Sequence, residues 1–146
     1  MKVFKDARNL QILSLVLAAI GLADSAYLWW TKLTHTEIIC GVGECDVVNA
    51  SPYASLLGIP VAALGVAGYG ALLVAAVWVL VAKEKSPSWL PNARLLMACG
   101  GLFFAAYLTG IEAFVIHAYC IWCLLQASAM LGIFIGLLIE RRIEST

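Results

Sequence analysis

Four long apolar runs organise the chain, at roughly Leu10–Trp30, Ile59–Ala82, Leu95–His117 and Ile121–Ile139, separated by stretches that hold most of its charge. A hydrocarbon core about 30 Å thick needs about 20 helical residues per crossing, and each run is long enough. The runs are too long and too continuous for the alternating strands of a membrane barrel. The pattern therefore predicts an all-α integral membrane four-helix bundle, with residues 1–146 forming a single transmembrane domain. Composition agrees: 63% apolar and 12% charged residues would leave a soluble chain of 146 residues without a polar exterior. Lys2, Lys5 and Arg8 ahead of the first run resemble the start of a secretory signal. That run is longer than a signal core, and no convincing small-residue cleavage site follows it, so it is expected to be retained.

Charge adds an orientation. Of the nine Lys and Arg, Lys2, Lys5 and Arg8 precede the first span, Lys83, Lys85 and Arg94 flank the link between the second and third, and Arg141 and Arg142 follow the fourth. Lys32 alone lies on the other side. This bias predicts cytoplasmic termini and an extracytoplasmic link between the first two spans. The formal net charge of zero hides the asymmetry and gives no sign of nucleic-acid binding.

The connections are unequal. His117-Ala118-Tyr119 is all that joins the third and fourth spans, which predicts a tight antiparallel hairpin. The first link is roughly 28 residues, far more than two neighbouring helices need. Within it, Asp46 to Leu57 reads as a short helix with Pro52 in its early part, ending at Gly58 and Pro60 and lying along the membrane interface. Gly41-Val42-Gly43 is expected to make the chain between Cys40 and Cys45 flexible enough for the two sulfurs to meet or separate.

Four of the five cysteines fall at the extracytoplasmic side of this topology, where disulfides form and persist. Cys120 and Cys123 open the fourth span. Their spacing puts both on one helix face, and the unpaired N–H groups and dipole of a helix N-terminus favour a thiolate there. Such a pair can act as nucleophile or leaving group in thiol–disulfide exchange. Other readings stand beside this one: both pairs as passive staples in a structural bundle, or Cys40, Cys45, Cys120 and Cys123 gathered around zinc or another soft metal ion. Cys99, beside Gly100 and Gly101, is expected to be a small buried apolar side chain.

The ordered set Cys40, Cys45, Ser51, the segment Leu57-Gly58-Ile59-Pro60 with Gly65, and Cys120-Ile121-Trp122-Cys123 resembles the vitamin K epoxide reductase family over essentially the whole chain. The resemblance implies a quinone-dependent membrane thiol–disulfide oxidoreductase. Electrons would pass from a thioredoxin-like (DsbA-like) partner to the Cys40/Cys45 pair, attacked at Cys40. They would then cross from Cys45 to Cys120 and leave through Cys123 to a quinone, menaquinone or ubiquinone. It also implies a hydrogen bond from Ser51 that helps hold the site near the quinone, and Tyr53, Leu57 and Trp122 are the other candidate quinone contacts. Many prokaryotic members carry a fused thioredoxin-like domain. This chain stops at Thr146, so the resemblance implies a separate partner protein. Vertebrate members hold the vitamin K head group with an asparagine on the second helix and a tyrosine one turn past the second cysteine. The second span here has no asparagine and Ala127 stands at the other place, which points away from epoxide as a substrate.

Asp24 and Ser25 in the first span and Glu112 and His117 in the third are ionisable or polar groups within apolar runs, functional candidates by default unless they reach interfacial water. Interfacial water is the expected environment of Glu112 and His117. Most Trp and Tyr fall near predicted interfaces, as an aromatic belt would have them. Gly132-Ile-Phe-Ile-Gly136 has the spacing of close helix approach and is expected to pack inside the bundle.

Overall fold

The computed structural model describes residues 2–41 and 43–145; Val42, in the link expected to be flexible, lies outside them. The elements run α1 (Lys2–Thr34), α2 (Cys45–Ala50), β1 (Ser55–Leu56), β2 (Ile59–Pro60), α3 (Val61–Ala82), α4 (Leu90–Ile111) and α5 (Ile121–Ser145). Short 3-10 turns occupy Pro52–Ala54 and Lys83–Lys85, and a π turn, Glu112–Ile116, continues α4. Among the described residues four helices are long and apolar enough to cross a membrane: α1, α3, α4 with its π turn, and α5. The protein is an all-α membrane bundle. Its helices overrun the apolar stretches, because the polar ends of α1 and α5 contain no glycine or proline to stop them.

α1 packs against both α3 and α5, and α5 against α4. Lipid gives helices no hydrophobic reason to associate, so close packing at small residues has to do it. A side chain on Gly21 would collide with the Tyr69 ring. A Cβ on Gly132 would sit 2.8 Å from Leu17, and one on Gly136 would sit 3.7 Å from Ser14 Oγ. The Gly132/Gly136 spacing thus serves contact with α1 inside the bundle. Outward faces are apolar: Val81 is 77% exposed, Phe103 76% and Leu96 72%, side chains that make sense only against lipid.

At the end of the bundle away from the paired cysteines, Arg94 Nη1 lies 3.4 Å from Glu140 Oε1, and Gln11 Nε2 donates to the same oxygen at 3.0 Å. Both charged side chains are buried. Changing Arg94 to methionine strands a buried carboxylate, and we expect a loss of about 3–5 kcal/mol, seen as a lowered unfolding midpoint in detergent. A paired change of Glu140 to leucine is expected to restore most of it.

The long link departs from expectation. The short helix does not run from Asp46 to Leu57: α2 ends at Ala50, and Ser51 is extended (φ −67°, ψ 155°). The ring of Pro52 crowds the residue before it out of the helical region, which splits the expected helix into α2 and a 3-10 turn. β1 and β2 then pair antiparallel, Ser55 opposite Pro60 and Leu56 opposite Ile59. Leu57 (φ 52°) and Gly58 (φ 82°) close this hairpin in the positive-φ geometry that matches strand twist.

Lys32 ties the link down. Its Nζ donates to Asn49 O at 3.3 Å, Ala54 O at 3.4 Å and Ser55 Oγ at 3.2 Å, so one side chain at the end of α1 holds α2, the 3-10 turn and β1. Lys32→Met is expected to cost about 1–2 kcal/mol and to show as faster proteolysis between Asn49 and Ser55. An unchanged cleavage rate would mean the link is held by other contacts.

Candidate functional site

Both cysteine pairs fall in one cluster, and backbone contacts join them. Cys40 and Cys45 form a disulfide, with their Cα atoms 6.1 Å apart, while Cys120 and Cys123 are thiols. Gly43, inside the disulfide loop, makes an antiparallel bridge to Cys120, and Glu44 N donates to Tyr119 O at 2.7 Å. Only glycine fits this bridge. Gly43 has φ 101°, and a Cβ there would stand 2.5 Å from Tyr119 O. The loop is thereby docked on the first residue before α5, and Cys45 and Cys120 share one buried cluster with Leu28, Ile38, Val48, Ala62 and Ala118.

Three further contacts aim the segment that carries Cys40. Asp46 Oδ1 accepts Ile38 N–H at 3.1 Å, Ile39 N–H donates to Tyr27 Oη at 3.0 Å, and Trp122 Nε1 donates to Ile39 O at 2.7 Å. Tyr27 and Trp122 also pack ring to ring at 5.4 Å. The backbone next to Cys40 is therefore clamped from both sides. Cys45 is 1% exposed and Cys120 is fully buried, whereas Cys40 is only half-buried.

The Cys120 thiol is held below the ordinary cysteine range, chiefly by the hydrogen bond from the Cys123 thiol. Backbone N–H groups of Cys123 and Trp122 at the start of α5 add to this, against burial and the nearby Glu112 charge. In the native protein the pH of half-maximal Cys120 alkylation by a small reagent is expected to lie below the ordinary cysteine range, and to rise in Cys123→Ala. An unmoved midpoint would deny the thiol pair its part.

Beside Cys123 lies a cavity of about 160 Å³ between α3, α4, α5 and the long link. Its wall is mostly apolar, with Ser51, Tyr53, Glu112, Cys123 and Gln126 among the polar exceptions. Gly65 lets α3 close on α1: a Cβ there would meet Ser25 Oγ at 2.6 Å. Two thiols at a helix start, a docked disulfide loop above them and an apolar chamber beside the second thiol form a connected arrangement. The vitamin K epoxide reductase family, as a sequence pattern, matches residues 12–138, a stretch that contains both cysteine pairs and the cavity wall. The chain belongs to the vitamin K epoxide reductase family. It is a membrane oxidoreductase, as that membership implies.

Within this family framework the sequence candidates separate. Cys123, Ser51 and Tyr53 line the cavity; Cys120 lies one step back, buried against the loop. Ser51 Oγ donates to Val48 O at 2.7 Å, capping α2 where Pro52 ends it. Leu57 and Trp122 are not part of the cavity wall. Leu57 is 96% exposed at the hairpin tip, and the Trp122 indole is committed to Ile39. The primed turn faces Leu57 outward, and the loop clamp holds the indole. Ala127, the position at which vertebrate members have tyrosine, does line the cavity.

One expectation about the polar residues changes. Glu112 is 3% exposed and does not reach interfacial water: its Oε2 accepts the Cys120 N–H at 3.3 Å. Asp24 and Ser25 are buried as well, with Asp24 set against Gln126. His117 is exposed and takes a left-handed conformation (φ 57°) that ends the π turn. Cys99 is half-buried, not buried.

Lys32, Tyr27 and Glu112 make contacts at the site that sequence reasoning did not assign. The one signal for Lys32 was its isolation as the sole basic residue at its end of the bundle, and for Glu112 its charge within an apolar run.

Proposed function

We propose that the protein, with residues 1–146 acting as one redox unit, is a quinone-dependent thiol–disulfide oxidoreductase. It reoxidises a separate thioredoxin-like (DsbA-like) protein and so supports disulfide formation in extracytoplasmic proteins. The observation that carries this reading is the Gly43–Cys120 bridge, which brings a half-exposed disulfide against a buried thiol whose neighbour Cys123 opens into an apolar chamber. A soluble dithiol has access at one end of this path and a lipid-soluble acceptor at the other.

The chemistry runs as exchange. A partner thiolate attacks Cys40, the more accessible sulfur, and releases Cys45; the second partner thiol resolves the mixed disulfide and leaves Cys40 and Cys45 reduced. When the inner pair is a disulfide, Cys45 attacks Cys120 and releases Cys123, and Cys40 then attacks Cys45 and releases Cys120. Cys120 leaves readily because its thiolate is favoured. The product is the arrangement seen here, loop pair bonded and inner pair as thiols. A quinone in the chamber, menaquinone or ubiquinone, then takes two electrons and two protons from Cys120 and Cys123, and their disulfide re-forms. Ser51 and Tyr53 are the proposed polar contacts to it. Positive-inside asymmetry supports cytoplasmic termini and an extracytoplasmic disulfide loop.

Soft-metal capture by the four cysteines is the other reading. Two of its four ligands are joined in the Cys40–Cys45 disulfide, and among the described residues no three His, Cys, Asp or Glu converge as a ligand set. The test is oxidation of a reduced thioredoxin-like protein by the purified protein with and without added quinone. Quinone-dependent loss of partner thiols is expected; stoichiometric bound metal with no turnover would favour capture.

A further inference from the structure

We propose that Glu112 is the proton carrier of the quinone step, accepting the proton that leaves the Cys123 thiol and delivering it to a quinone oxygen in the chamber. The proposal rests on the quinone reading above. Its geometry is specific. Glu112 is the sole acidic side chain among the described residues that line the cavity. One carboxylate oxygen holds the Cys120 N–H at 3.3 Å, and the Cys123 thiol is its other hydrogen-bonding neighbour. The carboxyl therefore touches both halves of the inner pair and the space where an acceptor would sit.

Capping alone does not account for an acid here. Serine or asparagine can satisfy a helix N-terminus without an ionisable group, and a carboxyl in a membrane interior is expensive unless paired or used. Among the described residues no Lys, Arg or His forms an ion pair with Glu112. The backbone is also bent to bring it in. Glu112 opens the π turn, and its carbonyl accepts Ala118 N–H at 3.1 Å as the chain turns toward Cys120. Wide turns of this kind often mark working sites in helices. The other titratable groups in this region are Asp24 from α1, close to Cys123, and Tyr69 from α3, which lines the cavity. Asp24 does not line the cavity, and the Tyr69 hydroxyl is already donated to Gln126 O.

The step balances. Two S–H bonds break, one S–S bond forms between Cys120 and Cys123, and the quinone gains two electrons and two O–H bonds. One proton passes from Cys123 through Glu112, and the other comes from the Cys120 thiol. Glu112 ends in the protonation state in which it began.

Glu112→Gln separates the two roles, because the amide oxygen still accepts the Cys120 N–H but cannot carry a proton. We expect kcat for quinone reduction to fall about 100-fold with KM for quinone changed less than about threefold. In the absence of partner, the variant under excess quinone should retain Cys120 and Cys123 as alkylatable thiols correspondingly longer, counted by mass. Glu112→Asp should recover much of the rate. A Glu112→Gln protein within about threefold of wild type would overturn the proposal and leave Glu112 as a cap. So would equal losses in Gln and Asp variants with a raised KM, which mark a purely positioning role. Wild-type protein that reduces no quinone would instead remove the quinone reading itself, a result visible before any variant is made.

Discussion

Cys123→Ala is expected to abolish quinone-linked oxidation of thiols, with a loss of roughly three orders of magnitude or more, as removal of a reacting nucleophile costs elsewhere. Cys123 is the paired cysteine that lines the cavity, the place from which the proposed relay would hand electrons to an acceptor in that chamber. Cys120→Ala is expected to give the same loss for a different reason, since it removes the sulfur that Cys45, in the same buried cluster, is proposed to attack. Cys40→Ala should behave otherwise. It removes the half-exposed entry point for a protein partner, while small dithiols that can reach the inner pair still support turnover. Quinone reduction followed by absorbance, with a protein dithiol and a small dithiol compared side by side, distinguishes the three variants. Full partner oxidation by either inner variant would contradict the proposed order.

Gly43→Ala is expected to have the next largest effect, although it touches no sulfur. Alanine at φ 101° is strained by about 1–2 kcal/mol. Its Cβ would also collide with Tyr119 O, a backbone atom that cannot rotate away. The bridge should open and carry Cys45 away from Cys120. Because exchange demands close approach of the reacting atoms, an ångström-scale displacement is expected to slow partner-driven turnover about 100-fold. The inner pair is untouched, so its oxidation by quinone after reduction by a small dithiol should persist. Measuring both rates on one preparation tests this, and equal loss of the two would mean that Gly43 supports the fold and not the transfer.

Much of the architecture was legible because membrane solvation writes it into the chain. A helix that must span lipid is continuous and apolar, and a thiol pair that opens such a helix is visible as Cys120-Ile-Trp-Cys123. The link between α1 and α3 was harder. Pro52 reads as lying in the early part of one helix, yet its stronger action is on Ser51, which it pushes out of helical geometry. Trp122 lies between the two thiols in sequence and reads as a candidate quinone contact. The helix start instead turns its indole toward Ile39. Glu112 was the most obscured, because eight residues and a π turn separate it from the amide it caps. No periodicity in the third apolar run announces that turn. Lys32 reaches across 17 to 23 residues to hold the link, a contact that only the folded path of the chain reveals.

The central claim is that electrons cross between Cys45 and Cys120. In Cys40→Ala the resolving thiol is gone, so once quinone has oxidised the inner pair, Cys45 should attack Cys120 and remain joined to it. Alkylation of the free thiols followed by peptide mass mapping reads the bond directly. A Cys45–Cys120 disulfide with Cys123 free, formed only when quinone is present, is the predicted result. Cys45 recovered as a free thiol beside an intact Cys120–Cys123 disulfide would contradict it.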